Sequence, residues 1–446
     1  MASGQLQRLL GRGFSTAACI GLVIGLGILR TPGEIATTVS DPLPYMSLWI
    51  GCGLFVLLSL SVVAELIAST PRTGGIYAMV RHAYGPYPGF LLGWTDWISN
   101  CAALALKTVV LLEYMSILVP ALAPYQTLTA VSITTVFAAM QLGGTRLSAG
   151  VQRVASAGMG LIIATLAIAL FYAFFSNGGA VDAPAQAAAS GTPGVAALGL
   201  VVTAIVFTYD GWYAASYFSG EAKSGGRAVA IGSLQGALII MVLYVLLNLA
   251  LVLSVPLAAL AGHKLALGGA LDLAFGTGTS TIILVAAMFI LLAHQNLQYM
   301  IVSRILYSIS VDGLGAARAT TVTERGTPSG AVIVCWLAVS TLIILGQFEL
   351  LLRLVAMLFM CVYVGLIVGV FRLRKKEPDA ERPFRAWGYP ATGVICAVGW
   401  SIIVLFVAFS DPMSALYGLV LAAISVPVYI WLRRVRHLDE TAPAEA

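Results

Sequence analysis

Charge is what this sequence has least of. Only 10% of its 446 residues are Asp, Glu, Lys or Arg, against roughly 25% in a soluble domain. Histidine occurs four times. No His, Cys, Asp or Glu cluster has metal-ligand spacing, and no nucleophile stands beside a base, which argues against an enzyme and against a metal or other cofactor. The cysteines (Cys19, Cys52, Cys101, Cys335, Cys361 and Cys396) all fall inside apolar runs, so they read as small buried hydrophobes and imply no disulfide framework. No small-residue cleavage site follows Arg8 and Arg12, and the first apolar run therefore reads as a retained helix, not a signal peptide.

What is present in excess is apolar side chain, at 59% of the residues. A soluble fold cannot bury that much, so lipid must face most of it. Runs of roughly 20 apolar residues span a bilayer. The pattern predicts an all-α integral membrane protein with twelve spans, near 14–39, 47–69, 89–117, 125–145, 151–176, 196–220, 228–254, 278–310, 329–347, 350–372, 390–410 and 413–432. With these spans the cations sort by side. Arg8, Arg12, Arg72, Arg81, Arg146, Arg153, Lys223, Arg227, Arg304, Arg318, Arg325, the 372–385 cluster, Arg433, Arg434 and Arg436 share one face; the opposite side has Lys264, with Arg353 at a helix end. The positive-inside rule then places both termini in the cytoplasm of a cell-membrane protein. The net charge of +5 is accounted for by topology and needs no nucleic-acid partner.

The longest external segment, 177–195, is rich in Gly, Ala, Pro and Ser and reads as a flexible joint. It divides the chain into a 1–13 tail, a first five-span half at 14–176, the joint, a second half at 196–372, and two further spans with a tail at 373–446. Two spans carry interruptions at matching places. Span 1 holds Gly21, then Ile24-Gly25-Leu26-Gly27-Ile28, with Thr31-Pro32-Gly33 beyond; span 6 holds Phe207-Thr208-Tyr209-Asp210-Gly211-Trp212. Each opens its half. Paired interruptions of this kind point to an inverted-repeat carrier with its site at the breaks. The competing reading is close helix packing, because Gly21 and Gly25 also fit a Gly-x-x-x-Gly spacing.

A series of motifs in order extends the reading. They are Ile24-Gly25-Leu26-Gly27-Ile28 with Thr31-Pro32, Ala64-Glu65-Leu66, Pro71-Arg72-Thr73-Gly74-Gly75-Ile76-Tyr77, Tyr84-Gly85-Pro86, and Gly89-Phe90-Leu91-Leu92-Gly93-Trp94. Tyr209-Asp210-Gly211-Trp212 with Glu221 and Lys223 follows, then Ser303-Arg304-Ile305-Leu306-Tyr307 with Asp312-Gly313, and Glu377-Pro378-Asp379 through Arg382-Pro383-Phe384-Arg385. Over about 14–390 the chain resembles the amino acid–polyamine–organocation superfamily, closest to its L-amino acid transporter branch. The resemblance implies a five-plus-five inverted repeat with broken helices 1 and 6, two extra C-terminal helices, and alternating access. The expected substrate is an amino acid, its carboxylate on the amides of Gly25, Leu26 and Gly27 and its ammonium on carbonyls at Phe207, Thr208 and Tyr209. Phe207 takes the position of the aromatic gate, and Asn100 aligns with an asparagine that contacts substrate in a bacterial relative.

The chain also departs from the family. Gly25-Leu26-Gly27 replaces Gly-Ser-Gly, which keeps the amides but adds bulk. Met159 stands where many relatives have a lysine, and Ile290-Leu291 where sodium-coupled relatives have hydroxyls. Sodium coupling is therefore not expected; exchange or proton coupling remains. Asp96, Asn100 and Lys107 share a face of span 3, and His294 joins Gln298 in span 8. Asp96, Lys107 and His294 are candidates for substrate binding or proton coupling, against the alternative of buried structural polar groups. Arg30 is a candidate for the external gate. Glu65, Arg72, Glu221, Lys223 and Arg304 are candidates for an internal gate by charge pairing.

The leading expectation is an amino acid exchanger. The runner-up is a carrier of polyamines or other amines, with Asp96 as cation partner; a membrane sensor of amino acids is the alternative of another class. Residues 118–125 hold no cysteine, so no disulfide-linked accessory subunit is expected.

Overall fold

The computed structural model describes residues 6–181, 194–261, 263, 265–346 and 348–435. Most of the 177–195 joint, Lys264, Arg436 and the rest of the C-terminal tail lie outside them. The described chain is helical throughout, without a sheet. Its first predicted span is two helices, α1 (Arg12–Val23) and α2 (Gly27–Ala36), bent by 43° at the break. Then come α3 (Pro42–Ser69), α4 (Ile76–Tyr84), α5 (Pro86–Leu118), α6 (Gln126–Leu142), α7 (Thr145–Ser176) and α8 (Val195–Thr208). The remainder is α9 (Gly225–Ser254), α10 (Leu257–Leu260), α11 (Ala266–Phe275), α12 (Ser280–Val311), α13 (Ser329–Leu345), α14 (Phe348–Lys376), α15 (Ala391–Ser410) and α16 (Pro412–Val435).

All twelve predicted spans coincide with helices. Among the described residues nine are long and apolar enough to cross a membrane, counting α1 and α2 as one. Helices α6 and α13, at 17 residues each, are shorter, about 25 Å at the α-helical rise. The sixth span is interrupted. Its α-helix stops at Thr208 and continues as a 3₁₀ segment, Ala214–Glu221. The composition did not predict α4, α10 or α11.

Burial is inverted in the way lipid requires. Leu161, Ile168, Phe175, Ile402, Leu405, Leu419 and Ile424 are exposed on the outside of the bundle, where only acyl chains satisfy them. The interior holds Asp96, Glu221, Arg304, Asn296 and Gln152, each fully buried and each hydrogen-bonded. Helices α1, α3, α7 and α9 pack together, as do α5, α12 and α14, while α15 and α16 lie against α14. Gly21 belongs to this packing: a Cβ there would sit 2.3 Å from the Gln152 amide of α7. The close-packing reading holds for Gly21 and not for Gly25, where a Cβ would make only ordinary contact, 3.5 Å from the His294 ring. Met159 is fully enclosed in the core. The cysteines are all free, and only Cys361 is partly exposed.

Candidate substrate site

The break between α1 and α2 begins at Ile24, whose extended ψ of 94° ends the helical ladder. A broken ladder frees carbonyls on one side and N–H groups on the other. Two side chains from other helices take the carbonyls. The Tyr244 hydroxyl of α9 donates to the Val23 oxygen at 3.1 Å, and His294 Nε2 of α12 donates to the Ile24 oxygen at 2.9 Å. A carbonyl only accepts, so His294 carries its proton on Nε2; its Nδ1 has no partner among the described residues. Helix α2 then starts at Gly27, and its first N–H groups lack intrahelical acceptors. The positive end of its dipole lies at Gly25, Leu26 and Gly27, all partly exposed.

Helix α8 ends opposite. The Tyr209 N–H closes on the Ile205 and Val206 carbonyls and the Asp210 N–H on that of Phe207. The carbonyls of Thr208 and Tyr209 meet no backbone donor outside the helices among the described residues. The two breaks are joined directly. The Thr208 hydroxyl donates to the Ala204 carbonyl at 2.8 Å and so accepts from the Thr31 hydroxyl at 2.9 Å. Gly27 makes the close approach possible, since a Cβ there would lie 3.2 Å from the Thr208 hydroxyl.

Between the breaks lies a cavity of about 440 Å³, within the range of small-molecule sites. Gly25, Leu26, Gly27, Phe207 and Thr208 line it, as do Asn100, Lys107, His294 and Arg30. It reaches the surface at Arg30, which is half exposed and pairs with Glu34 at 3.7 Å. Lys107 donates to the Gln298 side chain at 2.7 Å, and Gln298 in turn donates to the Asn100 oxygen at 3.1 Å. Lys107 therefore pairs across to α12.

Two predicted residues are elsewhere. Asp96 is absent from the cavity wall and fully buried behind it. Its carboxylate accepts from the Tyr217 hydroxyl at 2.9 Å and from the Asn100 amide at 2.8 Å, and its backbone carbonyl accepts from the same amide at 2.8 Å, which uses that amide up. The Tyr209 side chain points away from the cavity, into an aromatic cluster with Trp49 and Tyr244; only its backbone stands at the break. Conversely, the cavity contains Asp210, Tyr213, Gln298 and Phe359. Asp210 accepts a short hydrogen bond from the Tyr363 hydroxyl of α14. A carboxylate inside an interrupted helix was the available signal for Asp210. No sequence signal marked Phe359 or Tyr363, which lie in an uninterrupted apolar helix.

A family model described as amino acid permease matches residues 13–430. The chain belongs to that family. It is a multi-pass membrane protein, and its function is amino acid transport. Curated relatives extend over most of the permease. A serine/threonine exchanger of Bacillus subtilis (strain 168) is 23% identical, over 96% of this chain and 98% of its own. The b(0,+)-type amino acid transporter 1 of Mus musculus is 24% identical over 85% and 79%, and the cystine/glutamate transporter of Homo sapiens 24% over 97% and 87%.

The permease is closed on the face that carries its N-terminal segment. Phe14 meets Phe218 edge-on at 5.1 Å, and Leu10 pairs backbone to backbone with Glu221 and Lys223. Three ion-pair groups surround that closure. Glu221 holds Arg304 at 3.1 Å; Asp312 receives Arg72, Arg81 at 2.9 Å and the Tyr77 hydroxyl at 2.6 Å; Glu65 holds Arg374 at 2.6 Å and Arg382 at 3.3 Å. Of the five residues expected at an internal gate, Lys223 alone contributes its backbone and not its charge. Gly75, at φ +54° with the Tyr217 ring 2.2 Å from any Cβ, lets the Pro71–Gly75 turn press against the 3₁₀ segment.

Proposed function

We propose that this permease exchanges amino acids across the cell membrane by alternating access, with the substrate main chain held between the two helix breaks. The observation that carries this reading is the meeting of α2's N-terminus and α8's C-terminus at one cavity. A carboxylate is favoured at Gly25–Gly27 and an ammonium at the Thr208 and Tyr209 carbonyls. Asn100, whose amide is occupied by Asp96, contributes to the wall and not a free donor. With both termini in the cytoplasm, the opening at Arg30 is external and the closed face internal. The exchanger character is supported by the name of the Bacillus relative. The permease works without a disulfide-linked subunit, and no cysteine lies in 118–125.

Counterflow tests the exchange. Proteoliposomes preloaded with an unlabelled amino acid are expected to take up labelled substrate faster than empty ones. Equal uptake at saturating internal substrate would overturn the exchanger reading. Phe207 lines the cavity from α8. Phe207→Ala is expected to lower uptake about tenfold or more, the scale of one lost aromatic contact, with the amount of folded protein unchanged; wild-type uptake would remove Phe207 from the gate.

A carrier of amines is the second reading, and Asp210 now supplies the carboxylate that Asp96 does not. Lys107 in the same cavity opposes it. Uptake of decarboxylated amines in preference to zwitterions would select that reading.

A further inference from the structure

The cavity wall contains charged groups of both signs. Lys107 comes from α5 and Asp210 from the break after α8. Arg30, the third charged side chain of the wall, stands at the mouth and is paired with Glu34. His294 enters with Nε2–H spent on the Ile24 carbonyl and a buried Nδ1 that meets no acceptor among the described residues for a second proton, which favours the neutral ring. Lys107 and Asp210 are not in contact with one another. Each is held by a neutral partner, Gln298 and Tyr363 respectively, and the two face the same cavity. A separated pair leaves space for a substrate between its members.

The consequence is a matter of net charge. With Lys107 cationic and Asp210 anionic, the inner cavity is neutral when empty. An amino acid with an uncharged side chain is a zwitterion and keeps it neutral. A cationic or acidic side chain leaves one uncompensated charge inside the membrane, where water does little to screen it. We propose that Lys107 and Asp210 form a balanced charge pair that sets the substrate class of this cavity to amino acids with uncharged side chains. The inference rests on the amino acid reading of the site and adds the class. Each member excludes the side chain of its own sign, and either becomes a recruiter of the opposite sign when the other is removed. This is selection by repulsion as much as by attraction.

The pair is tested by reciprocal change. The purified full-length permease in proteoliposomes is assayed with L-serine, L-leucine, L-lysine and L-glutamate, as labelled substrates and as competitors. Wild type is expected to prefer the neutral amino acids over both charged ones. Lys107→Met is expected to raise the preference for L-lysine relative to L-leucine about tenfold or more, and Asp210→Asn to do the same for L-glutamate; tenfold corresponds to ~1.4 kcal/mol. The double variant is expected to return to neutral amino acids. A merely structural role would lower all four substrates together. Gln298→Leu, which releases Lys107 without removing its charge, is expected to leave the preferred class unchanged.

The outcomes separate the two readings. If wild type takes up none of the four, amino acid transport itself is at fault. If wild type transports amino acids but favours a charged one, or if both single variants shift in the same direction or not at all, the balanced pair is overturned. Should either single variant fail to fold, the wild-type ranking and the double variant still decide. A double variant that prefers charged side chains sinks the proposal.

Discussion

Gly211→Ala is expected to lower uptake about a hundredfold. Gly211 sits one residue past Asp210 at φ +109°, a conformation that residues with a Cβ avoid. Forcing it costs on the order of 1–3 kcal/mol. The larger effect is steric: a Cβ would lie 2.9 Å from the Leu22 carbonyl carbon and 3.0 Å from its Cγ. The nearest atom is backbone in the last turn of α1, which cannot swing aside as a flexible side chain can. The two breaks must therefore move apart, and both substrate-holding groups are carried on them. A misplacement of ~1 Å costs about a hundredfold where positioning is the mechanism, and a fall of that size in uptake is expected. Gly225 provides the control. It too has positive φ, at +71°, but nothing lies within 4 Å of a Cβ there, so Gly225→Ala is expected to cost stability and leave uptake nearly intact. If Gly211→Ala transports at the wild-type rate, the tight apposition of the breaks is not required for function.

Glu221→Gln is expected to give the largest loss of thermal stability. Glu221 and Arg304 are both enclosed, with side-chain exposures of 0% and 1%. The guanidinium makes two bonds to the carboxylate and donates to the Thr145 hydroxyl at 2.9 Å, and it lies over the Phe218 ring at 5.6 Å. Neutralising one partner leaves a buried unpaired charge, which costs roughly 3–5 kcal/mol. The backbone carbonyl of the same residue accepts from the Leu10 N–H at 3.0 Å, so the closure of the N-terminal face weakens as well. The thermal midpoint of detergent-purified protein is the measurement. Replacing both partners, Glu221→Gln with Arg304→Met, is expected to recover a large part of the loss, because no unpaired charge remains. If Glu221→Gln melts with wild type, the pair adds little to the closed face. If the double variant melts lower than the single one, unpaired charge is not the source of the loss.

The site was legible where the sequence interrupts a regular pattern. Gly25-Leu26-Gly27 and the segment at Phe207 stand out against long apolar helices, and these interruptions are where the cavity forms. Helical angle placed Asp96, Asn100 and Lys107 on one face, but it did not say how deep each would lie. Lys107 reaches the cavity; Asp96, about three turns earlier on α5, lies beneath it against Tyr217. The difference comes from the 3₁₀ segment after α8, which fills the space beside Asp96. No one-dimensional period reports where such a segment will pack.

Apolar run lengths and the scarcity of charge determined that the chain crosses a membrane many times, because a bilayer imposes a fixed thickness on every span. The ordered motifs determined its family. What the tertiary structure decided is which groups meet. His294 and Tyr244 are 270 and 221 residues from the carbonyls they hold at the first break, and Asp210 stands across from Lys107 with Tyr363 behind it. In an apolar interior each polar group needs a partner. That requirement can be read from composition, but the partner is chosen by how the helices pack.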